Sequence, residues 1–207
     1  MADVLTENGY KTGSFSISGE TFALLGQPQK SPGVNYIDQR GVVQFNRNPS
    51  LDNMNVTMAK INNPSLDTSG KFAKTWSDVF DASVRQTNNL FEALDGLTLT
   101  TTFPDTALGR RLQQVSLVMK KRNELGHDRQ FFYVDDGGWD THAEQNEALP
   151  AKMRGLNDCI TAFTNEMKAQ GIWDDVVFVM ASDFGRTLGS NAGSGTDHAW
   201  GGKIIRF

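Results

Sequence analysis

Acidic and histidine side chains gather in three short polar motifs in the C-terminal part of the chain. The motifs are Gly-Trp-Asp-Thr-His at 138–142, Ser-Asp-Phe-Gly-Arg-Thr at 182–187 and Gly-Thr-Asp-His-Ala-Trp-Gly-Gly at 195–202. Carboxylate and imidazole groups are ligands that zinc, manganese and iron accept. The motifs together therefore predict a metal or anion site. Its candidate residues are Asp140, His142, Asp183, Arg186, Asp197 and His198.

Each motif taken alone also has a structural explanation. The Asp-x-His pair at 140–142 could form an Asx-turn beside a surface histidine, and Asp183 could cap the turn that follows it. Asp197 and His198 could be an ordinary surface pair. His127, the third histidine of the chain, stands between Gly126 and Asp128 at a predicted helix–strand junction. We expect a structural role for His127 and also for Cys159, which flanks a predicted apolar stripe.

Two apolar runs lie shortly before the first two motifs, at 130–134 and 176–181. Continuous apolar runs of this length are typical of buried parallel strands, and ligands bind where such strands end. Between them, apolar residues repeat at steps of three and four, which predicts a helix from about Pro150 to Gln170. This strand–helix–strand order predicts a βαβ unit. The fold class that follows is α/β, with a mostly parallel sheet sandwiched by helices.

The rest of the chain is predicted to contain two more helices and a loop-rich start. Apolar spacing indicates one helix from Phe72 to about Gly96 and a second from Asp105 to about Gly126. Residues 1–70 read as loops with short strands at 13–19 and 42–45, and the polar stretch 46–70 as one long loop. Residues 71–207 then give helix, helix, strand, helix and strand. We see no second domain boundary and expect a single partial domain over 1–207.

Composition excludes several classes of function. The chain has 20 Lys and Arg against 24 Asp and Glu, a net charge of −4, so we expect no nucleic-acid partner. No apolar run approaches the roughly 18 residues that a membrane-spanning helix needs. The single cysteine excludes an internal disulfide framework and a cysteine-based zinc finger. Walker A, Gly-x-Gly-x-x-Gly, Gly-x-Ser-x-Gly and His-Glu-x-x-His motifs are all absent from the sequence.

The order and spacing of the three motifs resemble those of the "domain of unknown function 1501" family. The segment Gly-Ser-Phe-Ser-Ile-Ser-Gly at 13–19 is also similar to a segment of that family. The family in turn resembles the alkaline phosphatase and sulfatase superfamily, whose members hold one or two divalent metals at strand ends. Those enzymes hydrolyse phosphate or sulfate esters. The resemblance therefore implies an alkaline phosphatase/sulfatase-like fold and a small anionic ester as substrate.

The resemblance also implies a role for each candidate residue. It makes Asp140, His142 and His198 ligands of a first metal and Asp183 a ligand of a second. Asp197 becomes a ligand or a partner of an imidazole, and Arg186 a contact to the anionic substrate. The implied chemistry is metal-assisted ester hydrolysis. The ion is divalent and its identity stays open among Zn, Mn, Fe and Ca.

Two departures from the superfamily pattern bear on activity. Phe184 stands where the phosphatases place a histidine after the second-site aspartate, and a phenyl ring cannot ligate. The family's Gly-Gly-x-Asp segment is missing before Gly13, so no nucleophile is assigned.

We expect the chain to be an internal fragment, incomplete at both ends, of a longer protein. Twin-arginine leaders are frequent in the family, so the resemblance implies a periplasmic or other extracytoplasmic location. The alternative function is an exported metal-binding or scaffold protein with this fold and no turnover. The oligomeric state stays open.

Overall fold

The computed structural model describes residues 1–26, 33–43, 57, 60, 70–202 and 204–206. The helices in these ranges are α1 (Ala2–Glu7), α2 (Lys71–Leu94), α3 (Ala107–Lys120) and α4 (Gln145–Ala169). The strands are β1 (Thr12–Ser16), β2 (Val34–Tyr36), β3 (Arg129–Tyr133), β4 (Val179–Ala181), β5 (Gly185–Arg186), β6 (His198–Ala199) and β7 (Ile204–Arg206). The predicted loop at 46–70 and the second half of the predicted strand at 42–45 lie largely outside the described residues.

The chain divides into two compact units, of which the first comprises Met1–Leu97 and Leu117–Tyr133. Its centre is a parallel sheet in the order β2-β1-β3. All five residues of β1 are buried, and the Phe15 ring stacks on Phe132 with 5.3 Å between centroids. A Cβ on Gly13 would lie 2.7 Å from Cε1 of His127, so β1 needs glycine there. The predicted α/β class and its parallel sheet are confirmed.

The second unit comprises Thr98–Ser116 and Val134–Phe207, and α4 is its longest helix. The predicted apolar stripe is confirmed in the C-terminal half of α4, where Phe163 and Met167 are buried. Cys159 is buried beside them and its Sγ lies 3.4 Å from the Thr106 hydroxyl, which fits the structural role expected for it. No described helix in either unit combines the length and the apolar character that crossing a bilayer demands.

The start of α4 differs from the prediction. The helix begins at Gln145, so Pro150 lies inside it rather than at its first position. Inside the helix, Pro150 removes one intrahelical hydrogen bond, because proline has no backbone N–H to donate. The polar residues before Pro150 carry no apolar periodicity, and the sequence pattern therefore missed them.

The predicted βαβ unit is wrong in its second strand. The apolar run at 176–181 contributes only β4, and β4 pairs antiparallel with β7. Val177 and Val179 are 69% and 55% exposed, so this run is not a buried central strand. A short antiparallel pair, β5 with β6, follows. An apolar run predicts strand conformation, but the identity of its pairing partner is set by contacts distant in sequence.

Candidate metal centre

Hydrogen bonds between two loop segments of the second unit bring the first and third motifs together. The Glu144 N–H donates to the Gly193 carbonyl at 3.1 Å, and the Thr196 N–H donates to the Thr141 carbonyl at 3.1 Å. These bonds lay residues 141–144, just before α4, antiparallel to residues 193–196. His142 lies between the two bonded positions and is thereby fixed next to the third motif.

The β5–β6 pair brings the second motif to the same place. Arg186 and His198 are opposite each other in its register. The Thr187 N–H donates to the Asp197 carbonyl at 3.0 Å, and the Thr187 hydroxyl accepts from the Asp197 N–H at 3.1 Å. All three motifs thus meet through backbone pairing, although the first lies far from the other two in the chain.

Three candidate ligand atoms converge at this junction. Oδ1 of Asp140 lies 2.9 Å from Nε2 of His142 and 2.9 Å from Nε2 of His198. The two imidazole nitrogens are 3.2 Å apart. Among the described residues, these three form the group of His, Cys, Asp and Glu side chains able to hold a metal ion. All three are exposed, so the group is open to solvent.

The triangle of donor atoms matches the requirements of one small divalent ion. Metal–ligand bonds of about 2.0–2.2 Å put two ligands of the same ion roughly 2.9–3.5 Å apart for angles between 90° and tetrahedral. The three observed separations, 2.9, 2.9 and 3.2 Å, fall in that range. Two imidazoles and one carboxylate form an open donor set that leaves positions for water or substrate. The residues present therefore fit a divalent transition metal.

Neighbouring side chains keep the carboxylate of Asp140 in its metal-binding form. A hydrogen bond with His198 is the main cause that lowers the pKa of Asp140, and His142 and Arg186 add to it. Asp140 is therefore an ionised carboxylate at neutral pH. Hydrogen bonds from Asn191 and then from His142 lower the pKa of Asp197.

Asp197 orients one of the candidate ligands. Its Oδ1 lies 3.2 Å from Nδ1 of His142, on the side of the ring away from the ligand group. With the proton on Nδ1 directed to Asp197, Nε2 of His142 presents its lone pair to the other donors. This carboxylate–histidine arrangement is the usual outer support of a metal-bound imidazole.

Arg186 and Phe184 flank the ligand group. Nη1 of Arg186 lies 2.7 Å from Oδ1 of Asp140, while Nε and Nη2 are buried and have no acceptor among the described residues. A carboxylate oxygen has two lone pairs, so Asp140 can bind a metal and Arg186 together. The Phe184 ring stacks on His198 with 4.0 Å between centroids. Phe184 therefore supports a ligand rather than supplying one.

The other acidic residues of the first motif's loop have structural partners. Nη1 of Arg111 contacts Oδ1 of Asp135 at 2.7 Å, and Nε1 of Trp139 donates to Asp136 at 2.8 Å. Nζ of Lys152 lies 4.6 Å from the centre of the Trp139 ring. These contacts fix the segment that leads into the first motif and leave its later residues to form the site.

The structure brings together five of the six predicted site residues. These are Asp140, His142, Arg186, Asp197 and His198. Asp183 is exposed and lies outside the ligand group found among the described residues. Sequence reasoning missed Asn191, whose amide contacts both His142 and Asp197. The only sequence signal at Asn191 is the turn chemistry of Asn-Ala-Gly, which does not distinguish a site residue from an ordinary loop.

Comparison with known proteins places the chain in a family. The family model described as "Protein of unknown function (DUF1501)" matches residues 24–205. The chain belongs to this family. The match contains all three motifs, so every side chain of the candidate metal centre is part of the DUF1501 region. No curated protein and no solved structure shows significant similarity to the chain.

Proposed function

We propose that this DUF1501 protein binds one divalent transition-metal ion through Asp140, His142 and His198 and hydrolyses phosphate or sulfate esters with it. One observation carries the proposal, namely the convergence of three ligand atoms from two motifs more than fifty positions apart. Each of the three donor atoms lies within hydrogen-bonding distance of the other two, which brings them close enough together for one ion. Two imidazoles favour Zn, Mn or Fe over Ca, which prefers oxygen ligands.

The surroundings of the donors support an anionic substrate. Arg186 stands beside Asp140, and its planar guanidinium suits the oxygens of a phosphate or sulfate. Two of its nitrogens, Nε and Nη2, have no acceptor among the described residues, and a buried donor without an acceptor carries a free-energy cost. Nε and Nη2 are themselves buried, so a substrate oxyanion beside the ion would be attracted by the positive charge of Arg186 rather than bonded to these two atoms. The proposed substrate class is therefore a small anionic ester.

The proposed division of labour follows from the contacts. Asp140, His142 and His198 would hold the ion, which would supply Lewis-acid activation of the ester and of a water nucleophile. Asp197 holds the His142 ring in orientation, and Phe184 does the same for His198 by stacking. The exposure of the three ligands leaves room for a substrate to reach the ion. We further propose that the fold is of the alkaline phosphatase/sulfatase kind, which the parallel sheet around β1 supports.

A second function, metal binding without turnover, is favoured by Phe184. In the proposed fold a histidine is expected at this position as a ligand of a second ion, and the phenyl ring instead packs on His198. Asp183 then has no imidazole partner beside it in the sequence. A protein with one ion and no second site could serve as an exported metal-binding or scaffold protein.

One experiment separates the two functions. The chain is stripped with a chelator, reloaded separately with Zn²⁺, Mn²⁺ or Fe²⁺, and assayed for bound metal and for hydrolysis of a chromogenic aryl phosphate and aryl sulfate. The hydrolase proposal predicts metal-dependent turnover of at least one ester and its loss in Asp140→Asn. Bound metal without turnover of either ester supports the second function. Failure of the native chain to bind any of the three metals contradicts both. Asp183→Asn is the matched control and should bind metal like the native chain.

A further inference from the structure

We infer that Asn191 is a positioning residue that sets the metal affinity of the site by fixing His142 at both ends. The inference rests on the proposed metal site. Asn191 is neither acidic nor basic and cannot be a primary ligand of the kind that the three motifs offer. Its role follows from what its amide contacts.

The amide nitrogen of Asn191 reaches His142 by two routes. Nδ2 donates to the His142 carbonyl at 3.0 Å, which fixes the backbone of the ligand. Nδ2 also donates to Oδ1 of Asp197 at 3.0 Å, and that same oxygen lies 3.2 Å from Nδ1 of His142. One NH₂ group thereby holds the main chain of His142 directly and its ring through Asp197.

The amide oxygen of Asn191 anchors the same side chain to its own loop. Oδ1 accepts hydrogen bonds from the Gly193 and Gly195 N–H groups, each at 3.0 Å. The Asn191 N–H in turn donates to the Gly195 carbonyl at 2.9 Å. Both amide hydrogens and both lone pairs of the oxygen are therefore used. The side chain cannot rotate without breaking several of these bonds at once.

The loop that Asn191 closes lies directly against His142. A Cβ on Gly195 would overlap the carbonyl carbon of His142, so the two backbones are in close contact there. A loop held this tightly limits the movement of His142 away from Asp140 and His198. Asn191 therefore acts on the ligand group through packing as well as through hydrogen bonds.

Only an amide satisfies this set of partners. An aspartate at 191 would turn an oxygen toward the His142 carbonyl and the Asp197 carboxylate, so two attractions would become repulsions. An alanine would leave the partners without a donor and an acceptor. Loss of an outer partner of a metal ligand typically lowers metal affinity by about 10–100-fold. We expect Asn191→Asp to fall in this range.

The test compares Asn191→Asp with Asn157→Asp, the same chemical change on an exposed face of α4. Zn²⁺ dissociation constants are measured by competition with a chromophoric chelator, and the visible absorption of the Co²⁺-loaded chain reports the ligand geometry. Asn191→Asp should weaken Zn²⁺ binding by about 10–100-fold and alter the Co²⁺ bands. Asn157→Asp should match the native chain in both measurements.

The outcomes distinguish this inference from the proposal on which it rests. Native affinity in a folded Asn191→Asp variant, or weakened Zn²⁺ binding with unaltered Co²⁺ bands, overturns the positioning role while the metal site stands. Absence of metal binding by the native chain overturns the site itself. If Asn191→Asp does not fold, Asn191→Ala, which adds no charge, is measured in its place. Native affinity of that variant overturns the inference equally.

Discussion

Two carboxylates of the second unit, Glu166 and Asp140, differ in almost every respect except charge. Glu166 on α4 is fully buried, and its two oxygens accept from the Thr101 N–H at 2.8 Å and from Nε2 of Gln170 at 2.9 Å. Asp140 is exposed, and a single oxygen faces His142, His198 and Arg186. Glu166 connects α4 to the loop at Thr101. Asp140 instead contacts three side chains, those of His142, Arg186 and His198, that are also exposed or half-buried.

The pKa of each carboxylate lies below its ordinary value, but for different reasons. Burial raises the pKa of Glu166, and the hydrogen bonds from Gln170 and Thr101 more than offset it. For Asp140 the hydrogen bond with His198 is the largest cause and lowers the pKa. A lowered pKa therefore does not by itself identify a functional residue. Asp140 differs from Glu166 in its exposure and in the convergence of two histidines and an arginine on one of its oxygens. Substitution of each carboxylate in turn tests whether this difference separates metal binding from folding stability.

The largest expected effect is on metal binding by Asp140→Asn. Loss of a ligand should lower Zn²⁺ affinity by more than the roughly 100-fold that bounds the loss of an outer partner. Glu166→Gln, the equivalent change in the buried carboxylate, should leave the affinity of the folded chain near the native value. Competition titration of both variants with a chromophoric chelator measures the difference. Equal losses of Zn²⁺ affinity in the two variants would contradict the assignment of Asp140, and not Glu166, to the metal site.

The next largest expected effect is a loss of folding stability in Glu166→Gln. Glu166→Gln keeps the shape of the side chain but turns an NH₂ group toward Thr101 or Gln170, both of which donate. We expect the free energy of unfolding to fall by about 1–3 kcal/mol, because a buried donor loses its acceptor. Urea denaturation of metal-free protein measures it. Asp140→Asn should change this free energy much less, since its side chain is exposed.

A third prediction concerns how the stability difference between the native chain and Glu166→Gln depends on pH. The folded-state pKa of Glu166 lies below the ordinary 4.5, so its carboxylate stabilises the fold above about pH 4.5. That contribution is lost as the pH falls through the lowered value. The difference in urea midpoint between the native chain and Glu166→Gln should therefore be constant near neutrality and shrink below pH 4.5. A difference that grows on acidification would show that the sign is wrong.

The smallest expected effect sharpens the role of Phe184. Stacked aromatic pairs contribute about 0.5–1.5 kcal/mol beyond area burial. If Phe184 only supports the His198 ring, Phe184→Leu should weaken Zn²⁺ binding by roughly 2–10-fold, which is that energy expressed as affinity. Isothermal titration of the native and variant chains measures the change. A loss as large as that of Asp140→Asn would mean that Phe184 does more than stack.

Much of the fold could be predicted from the sequence because it is local. Apolar steps of three and four predict α2 and most of α4, and Gly96 adopts positive φ just beyond the end of α2. The predicted second helix reaches Gly126, whereas α3 ends at Lys120. The strand partners could not be predicted, because an apolar run such as 176–181 has no mark that distinguishes a parallel from an antiparallel neighbour. The apolar periodicity also did not predict which apolar side chains are buried. Trp76, one of the periodic apolar residues of α2, is 65% exposed.

The candidate site was predictable to the extent that its chemistry is carried by rare residue types. Two histidines in acidic motifs marked His142 and His198 as candidates, and the structure brings them together with Asp140. Asn191 could not be found, because its contacts run to a backbone carbonyl and to a carboxylate six positions away. Asparagine is common in turns and has no chemistry that identifies a metal site from sequence alone.

Metal stoichiometry tests the central claim most directly. The native chain, Asp183→Asn and the double variant Asp140→Asn with His142→Ala are dialysed to equilibrium against Zn²⁺ and analysed for metal and protein. The metal-centre account predicts one ion per chain in the native protein and in Asp183→Asn, and none in the double variant. Absence of metal from the native chain, or an undiminished content in the double variant, would contradict it.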